Sequence, residues 1–232
     1  MRTILKFVLV FAVGIAGGIF GQQVFLAYFG REMPVNLAQG NSLREQKIFI
    51  EENTALQEAV ERVKKSVIGI ETPTKKGKIT GSGLFITSDG LAITLESVVP
   101  KSSSPVFFVD SKIKKGEVLK RDKKSGLVLL KIEGENFPTC PFAEKEKIAL
   151  GERVFLVGFR KIKDKVFVKE VNEGIVKLIT DDYLKTNIYE SSSFSGSPLF
   201  NIKGELVGLA SIGKDRQVFA VPINEIRNFI GF

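Results

Sequence analysis

Two hydrophobic patterns divide the chain. From Phe7 to Phe29 the residues read FVLVFAVGIAGGIFGQQVFLAYF, uncharged throughout, with Gln22 and Gln23 its strongly polar positions. A run of that length is enough to cross a bilayer as a helix. From Ser66 onward the apolar residues come in short runs instead: VIGIE, GLFIT, LAITL, VFFVD, LVLLKI, VFLVGF, VFVKEV, GIVKLI, ELVGLASI and VFAVPI. Each is strand-length and rich in β-branched or aromatic residues. Turn signals stand between them, at Ser88–Gly90 and Ile202–Glu205 among others. This pattern predicts an all-β sandwich or barrel. The closing PINEIRNFIGF predicts a short helix starting at or near Pro222.

The two parts are joined by a mixed stretch, Gly30 to Ser42, that reads as a juxtamembrane linker. NSLREQKIFIEENTALQEAVERVKKS follows, with Leu56, Val60 and Val63 at helical spacing and Asn53 or Thr54 placed to cap its last part. The heptad pattern does not persist, so the expectation is a stalk helix packed on the domain rather than a coiled coil. The expected organisation is a cytoplasmic N-terminus over 1–6, an anchor over 7–29, linker and stalk over 30–65, and the β domain over 66–232. Arg2 and Lys6 precede the span and place the N-terminus in the cytoplasm; Arg31 after it weakens the asymmetry. A cleaved signal peptide would have a shorter apolar core and a small-x-small site, and no such site ends this segment. The expectation is therefore a single-pass protein with its domain outside the cytoplasm. Gly14/Gly18 and Gly17/Gly21 give G-x-x-x-G spacings that allow self-association into a homo-oligomer.

Composition adds three constraints. The net charge is +8, but the lysines are scattered over strand ends and turns, as in KIKK at 112–115 and RKIKDK at 160–165. Nucleic acid is not the expected partner, since no basic footprint forms; anionic lipid fits the anchor better. The one cysteine, Cys140, makes no internal disulfide and reads as a small buried or half-buried residue. The chain contains no histidine. We read no cofactor-binding and no metal-ligating motif.

The absent histidine matters because SSSFSGSPLF, Ser191 to Phe200, is similar to the nucleophile loop of trypsin-like proteases. GSGLFITSDGLAITLESVV, DKKSGLVLLKI and SFSGSPLFNIKGELVGL resemble, in that order, three segments of the HtrA (Deg) family of trypsin-like serine proteases. ALGERVFLVGF and EGIVKLI fit the strands between them. The resemblance covers most of Ser66 to Phe232 and implies an all-β fold of two six-stranded barrels, a trypsin-like double β-barrel with its site in the cleft between. No PDZ domain is expected after it.

Carried over by position, the resemblance puts the nucleophile on Ser195, the histidine on Ser97 and the aspartate on Gly126. The oxyanion-hole positions fall on Ser193 and Ser195, and the glycine two after the nucleophile falls on Ser197. A serine hydroxyl is a weak nucleophile unless a neighbour takes its proton. In the triad, histidine is that base and aspartate fixes its tautomer. Ser97 is no base near neutral pH, and Gly126 has no side chain. A lysine dyad is the alternative, but Glu96 points to the other face of its strand from Ser97, and neither Lys101 nor any other lysine is tied to the cleft. The expectation is a pseudoprotease that binds a polypeptide ligand or an envelope protein without cleaving it. The alternative is an active serine endopeptidase using Ser195 with a non-histidine base. A third reading is a structural domain whose function lies in the stalk.

Overall fold

The computed structural model describes residues 54–110, 112–163 and 166–231, with Gly14, Gly17, Gly18, Phe20, Gly21, Gln22 and Val24 of the N-terminal region. Those seven N-terminal residues are helical and exposed. The rest of the expected anchor, the linker and the first part of the stalk lie outside the described residues. No helix among the described residues is long and apolar enough to cross a membrane. Residues 52–232 form one compact unit.

That unit is all-β apart from its two ends. Residues 54–63 are helical and lead through a 3-10 turn, Lys64–Ser66, into the first strand. Ala59 and Val63 are buried in the main core, and Leu56 and Val60 pack against it, as the helical spacing predicts. The strands are β1 Val67–Thr74, β2 Gly77–Phe85, β3 Leu91–Leu95, β4 Val106–Val109, β5 Lys112–Lys114, β6 Gly116–Arg121 and β7 Leu127–Ile132 in the first half. The second half holds β8 Arg153–Lys163, β9 Val166–Ile179, β10 Leu184–Tyr189, β11 Pro198–Asn201, β12 Leu206–Ile212 and β13 Gln217–Pro222. The C-terminal helix, Ile223–Ile230, follows Pro222 and buries Ile223, Ile226 and Phe229.

The second half is a closed barrel in the order β10-β13-β12-β11-β8-β9. The first half departs from the expected six-stranded barrel. It is a seven-stranded sheet in the order β5-β4-β1-β2-β3-β7-β6 with no ladder between its edges. The reason is local. β5 has three residues, and only Lys115 separates it from β6. The chain joins the two edges directly, leaving no length for a paired ladder, and the Glu133 N–H takes the Lys115 carbonyl at 2.9 Å.

β8 joins the two cores. Its Phe155, Val157 and Phe159 enter one hydrophobic cluster with β1–β3, while Val154 and Leu156 enter the other inside the closed barrel. A strand buried on both faces reads as a continuous apolar run, which is what VFLVGF is.

Candidate functional site

The serine loop is held by strand β2. Ser195 ends a 3-10 turn, Ser192–Phe194, and is half-buried. Its carbonyl accepts the Ser82 N–H at 3.0 Å. Ser82 is fully buried, and its other groups are engaged too. Its hydroxyl receives the Phe159 N–H at 3.0 Å and lies 3.1 Å from the Ser197 hydroxyl, which donates to it; its carbonyl takes the Thr94 hydroxyl at 2.6 Å. One serine thus ties β2, β3, β8 and the serine loop together. Buried polar groups of this kind hold position because an unmade bond there costs about 1–3 kcal/mol.

Two glycines permit the approach. A Cβ on Gly81 would lie 2.8 Å from the Ser195 carbonyl oxygen and 2.6 Å from Val98. Gly196 has φ 77° and sits against the Ser82 carbonyl, where a side chain is excluded by both space and backbone conformation.

The same packing brings the three carried-over positions into one region. Val98, next to Ser97, and Ser195 flank Gly81. The Glu96 N–H donates to the Gly126 carbonyl at 2.7 Å, so the turn after β3 meets the start of β7. Ser97 is exposed in that turn. Gly126 has φ 70°, and a Cβ there would meet nothing within 4 Å. The nearby acid in the turn between β6 and β7, Asp122, is committed elsewhere. Hydrogen bonds from the Ser125 hydroxyl and the Ser125 and Lys124 N–H groups hold its carboxyl below the usual range and close its own turn.

Among the described residues, Ser195 Oγ makes no hydrogen bond. Its N–H donates to the Ser192 carbonyl at 3.1 Å, and the Phe194 N–H to Ser191 at 3.0 Å. An oxyanion hole needs two N–H groups aimed at one outer point. Here the N–H of Ser195 is turned into the 3-10 helix instead. The Ser193 hydroxyl lies 2.7 Å from that of Ser191. No group of three His, Cys, Asp or Glu side chains among the described residues is placed to hold a metal.

Sequence reasoning missed Phe194. It is fully buried in the closed barrel, with its ring against Gly158 and the Arg160 guanidinium 5.6 Å from the ring centroid. The signal was a lone aromatic in a run of small residues, SSSFSGS. Ser82 was also missed, although GSG was read as part of the resemblance.

Comparison with known proteins agrees with this fold. Residues 81–209 match the family model described as trypsin-like peptidase domain. A "probable periplasmic serine endoprotease DegP-like" from Pseudomonas putida is 31% identical over 165 residues, covering 65% of this chain and 34% of the relative. A "putative serine protease HhoB" from Synechocystis is 27% identical over 172 residues, covering 67% of this chain and 40% of the relative. The chain therefore spans about a third of the length of the DegP-like relative. A crystal structure of a serine endoprotease from Yersinia pestis superposes with a TM-score of 0.68 at 20% identity, over 76% of this chain and 65% of that one.

Proposed function

The chain belongs to the trypsin-like peptidase domain family and is HtrA-like within it, and from that premise we propose a pseudoprotease: a membrane-anchored domain that binds polypeptide at the cell envelope without cleaving it. One observation carries the reading. In a chain without histidine, the Ser195 N–H is spent on the Ser192 carbonyl at 3.1 Å. The base makes a serine hydroxyl a nucleophile, and the oxyanion donor stabilises the charge that its attack develops; cleavage draws on both. What the site keeps is its frame: the Ser82 node, the loop and the region between the two halves. A frame of this kind takes extended peptides by strand addition. The name of the Pseudomonas relative, a periplasmic endoprotease, supports a polypeptide ligand and an extracytoplasmic site. The anchor is residues 7–29, with 1–6 in the cytoplasm, and the G-x-x-x-G pairs support a homo-oligomer.

A fluorophosphonate probe tests the reading, because it labels a serine only when the hydroxyl is activated. The native protein is expected to stay unlabelled. Stoichiometric labelling that Ser195→Ala abolishes would establish the alternative, an active serine endopeptidase with a base other than histidine.

A further inference from the structure

A cavity of about 600 Å³ lies over the face of the β8–β9 hairpin that is turned toward the N-terminal helix. Its size falls within the usual range for small-molecule sites, roughly 300–1,000 Å³. The apolar lining is Val60 from the helix, Val157 and Phe159 from β8, and Phe167, Val168 and Val171 from β9. Ring packing fixes its wall: Phe167 lies 4.1 Å from Phe108, centroid to centroid.

The charged groups around it are unequal in number. Lys64, Lys65 and Lys169 line the cavity, and Asp110 is the one carboxylate that does so. Lys64 is occupied by Glu61 at 2.6 Å, on the helix itself. Lys169 reaches the Lys64 carbonyl, stands 3.4 Å from Asp110, and has its Nζ 5.4 Å from the centre of the Phe159 ring. Its ammonium is largely covered. Burial pulls its pKa down against the pull of Asp110, and Lys64 and Lys65 add to the fall. With Lys64 taken by Glu61, Lys169 and Lys65 are left to the one lining carboxylate, Asp110, which stands 3.4 Å from Lys169.

We propose that this cavity binds an amphipathic carboxylate, with an apolar tail on Val60, Phe167 and Val171 and its anionic head on Lys169 and Lys65. The chemistry is shared by a medium-chain fatty acid and by a polypeptide C-terminus with apolar last residues. The site is separate from the serine loop yet linked to it. Phe159 forms the floor with its ring, and its N–H donates to Ser82, which holds the Ser195 carbonyl.

The test is photolabelling of the full chain, in a neutral maltoside detergent, with a diazirine-bearing decanoate, followed by peptide mapping. Saturable labelling of residues 60–65 and 157–171 is expected. It should fall about tenfold in Lys169→Met, as loss of a charge-assisted hydrogen bond implies, and stay unchanged in Lys214→Met, an exposed lysine outside the cavity lining. If Lys169→Met lowers the melting midpoint, Lys65→Met gives the same reading through a residue with no packing role, with a fall of about threefold. Competition by decanoate alone assigns a free acyl acid. Competition by a pentapeptide ending in Val-Phe-carboxylate, but not by its amide, assigns a polypeptide end. Equal labelling by the corresponding diazirine alcohol overturns the proposal. So does labelling confined to residues outside 60–65, 110 and 157–171, which carry the cavity lining, or labelling that both lysine variants leave intact.

Discussion

Ser97→His with Gly126→Asp returns the two missing side chains of the triad, and the geometry says how far that can go. Ser97 is exposed, and a Cβ on Gly126 meets nothing within 4 Å. The φ of 70° at Gly126 costs an L-residue about 1–2 kcal/mol, less for Asp. Both side chains therefore fit. The obstacle is the serine loop. To turn the Ser195 N–H outward, the Ser192–Phe194 turn must give up two backbone hydrogen bonds, of 3.0 and 3.1 Å. At about 1 kcal/mol net each, that is about 2 kcal/mol, or about 30-fold in the population of the opened loop. If Phe194 must leave the barrel core as well, its burial adds about 1.5–3 kcal/mol, and the penalty reaches about 5 × 10³-fold. The double variant should give no measurable hydrolysis of fluorescent casein. Adding Ser193→Gly removes the 2.7 Å contact between the Ser191 and Ser193 hydroxyls and frees the backbone there. The triple variant, with the loop freed of part of that cost, should hydrolyse casein measurably, at up to about 30-fold below an enzyme with a formed hole by the two-bond figure. A double variant as fast as the triple would refute the reasoning, because the loop would then be no barrier.

Two further outcomes follow from buried groups. Glu71 on β1 takes Lys78 at 2.8 Å and Lys161 of β8 at 2.6 Å; burial pushes its pKa up, but the hydrogen bonds to the two lysines outweigh this and hold it below 4.5. A carboxylate with a depressed folded pKa stabilises above its unfolded value and loses that stabilisation as pH falls through the folded one. Glu71→Gln should thus cost about 1–3 kcal/mol at pH 7 in urea titration, with the gap to native starting to close as pH falls below 4.5; a gap that does not narrow at all on acidification would remove the ion pairs from the account. Cys140 is half-buried, and burial pushes its thiol up to about 12, so it should react with iodoacetamide at pH 8 far more slowly in the native protein than after unfolding; equal rates would contradict that.

How much of this was legible depended on whether a residue's role was apolar and periodic. Ten apolar runs were read, and VFVKEV and GIVKLI proved to be one fourteen-residue strand, β9. β5 and β6 were not read, because KIK and GEVLKR are edge segments whose side chains are mostly exposed. β10 was legible in principle: Leu184, Thr186 and Ile188 are buried and alternate with Lys185, Asn187 and Tyr189. Its threonine, buried and bonded to the Val218 carbonyl at 3.0 Å, broke the apolar pattern. Of the site, the spacing of Ser97, Gly126 and Ser195 was legible through resemblance alone. The direction of the Ser195 N–H was not, because it follows from where the Phe194 ring finds a cavity, and that is a property of the assembled barrel.

The serines of the loop divide by what their hydroxyls do. Those of Ser191 and Ser193 bond each other at 2.7 Å, and that of Ser197 bonds Ser82 at 3.1 Å. These three side chains are explained by structure. Ser195 is explained differently: its carbonyl is structural, holding the Ser82 N–H, but any residue supplies a carbonyl. Its hydroxyl is half-exposed and makes no bond among the described residues. Alanine there should therefore leave the loop, the node and the melting midpoint as they are. The consequence for ligand binding is sharp. If the region between the two halves holds a polypeptide through its frame, Ser195→Ala should bind as the native chain does, whereas Ser82→Ala, which strips the node of the Phe159 and Ser197 partners, should weaken binding by disordering the frame. The two substitutions remove the same atom, one hydroxyl oxygen, and only the second removes a buried hydrogen-bond partner. A function that resides in the frame separates them in that order, and a function that resides in the Ser195 hydroxyl makes Ser195→Ala the damaging one.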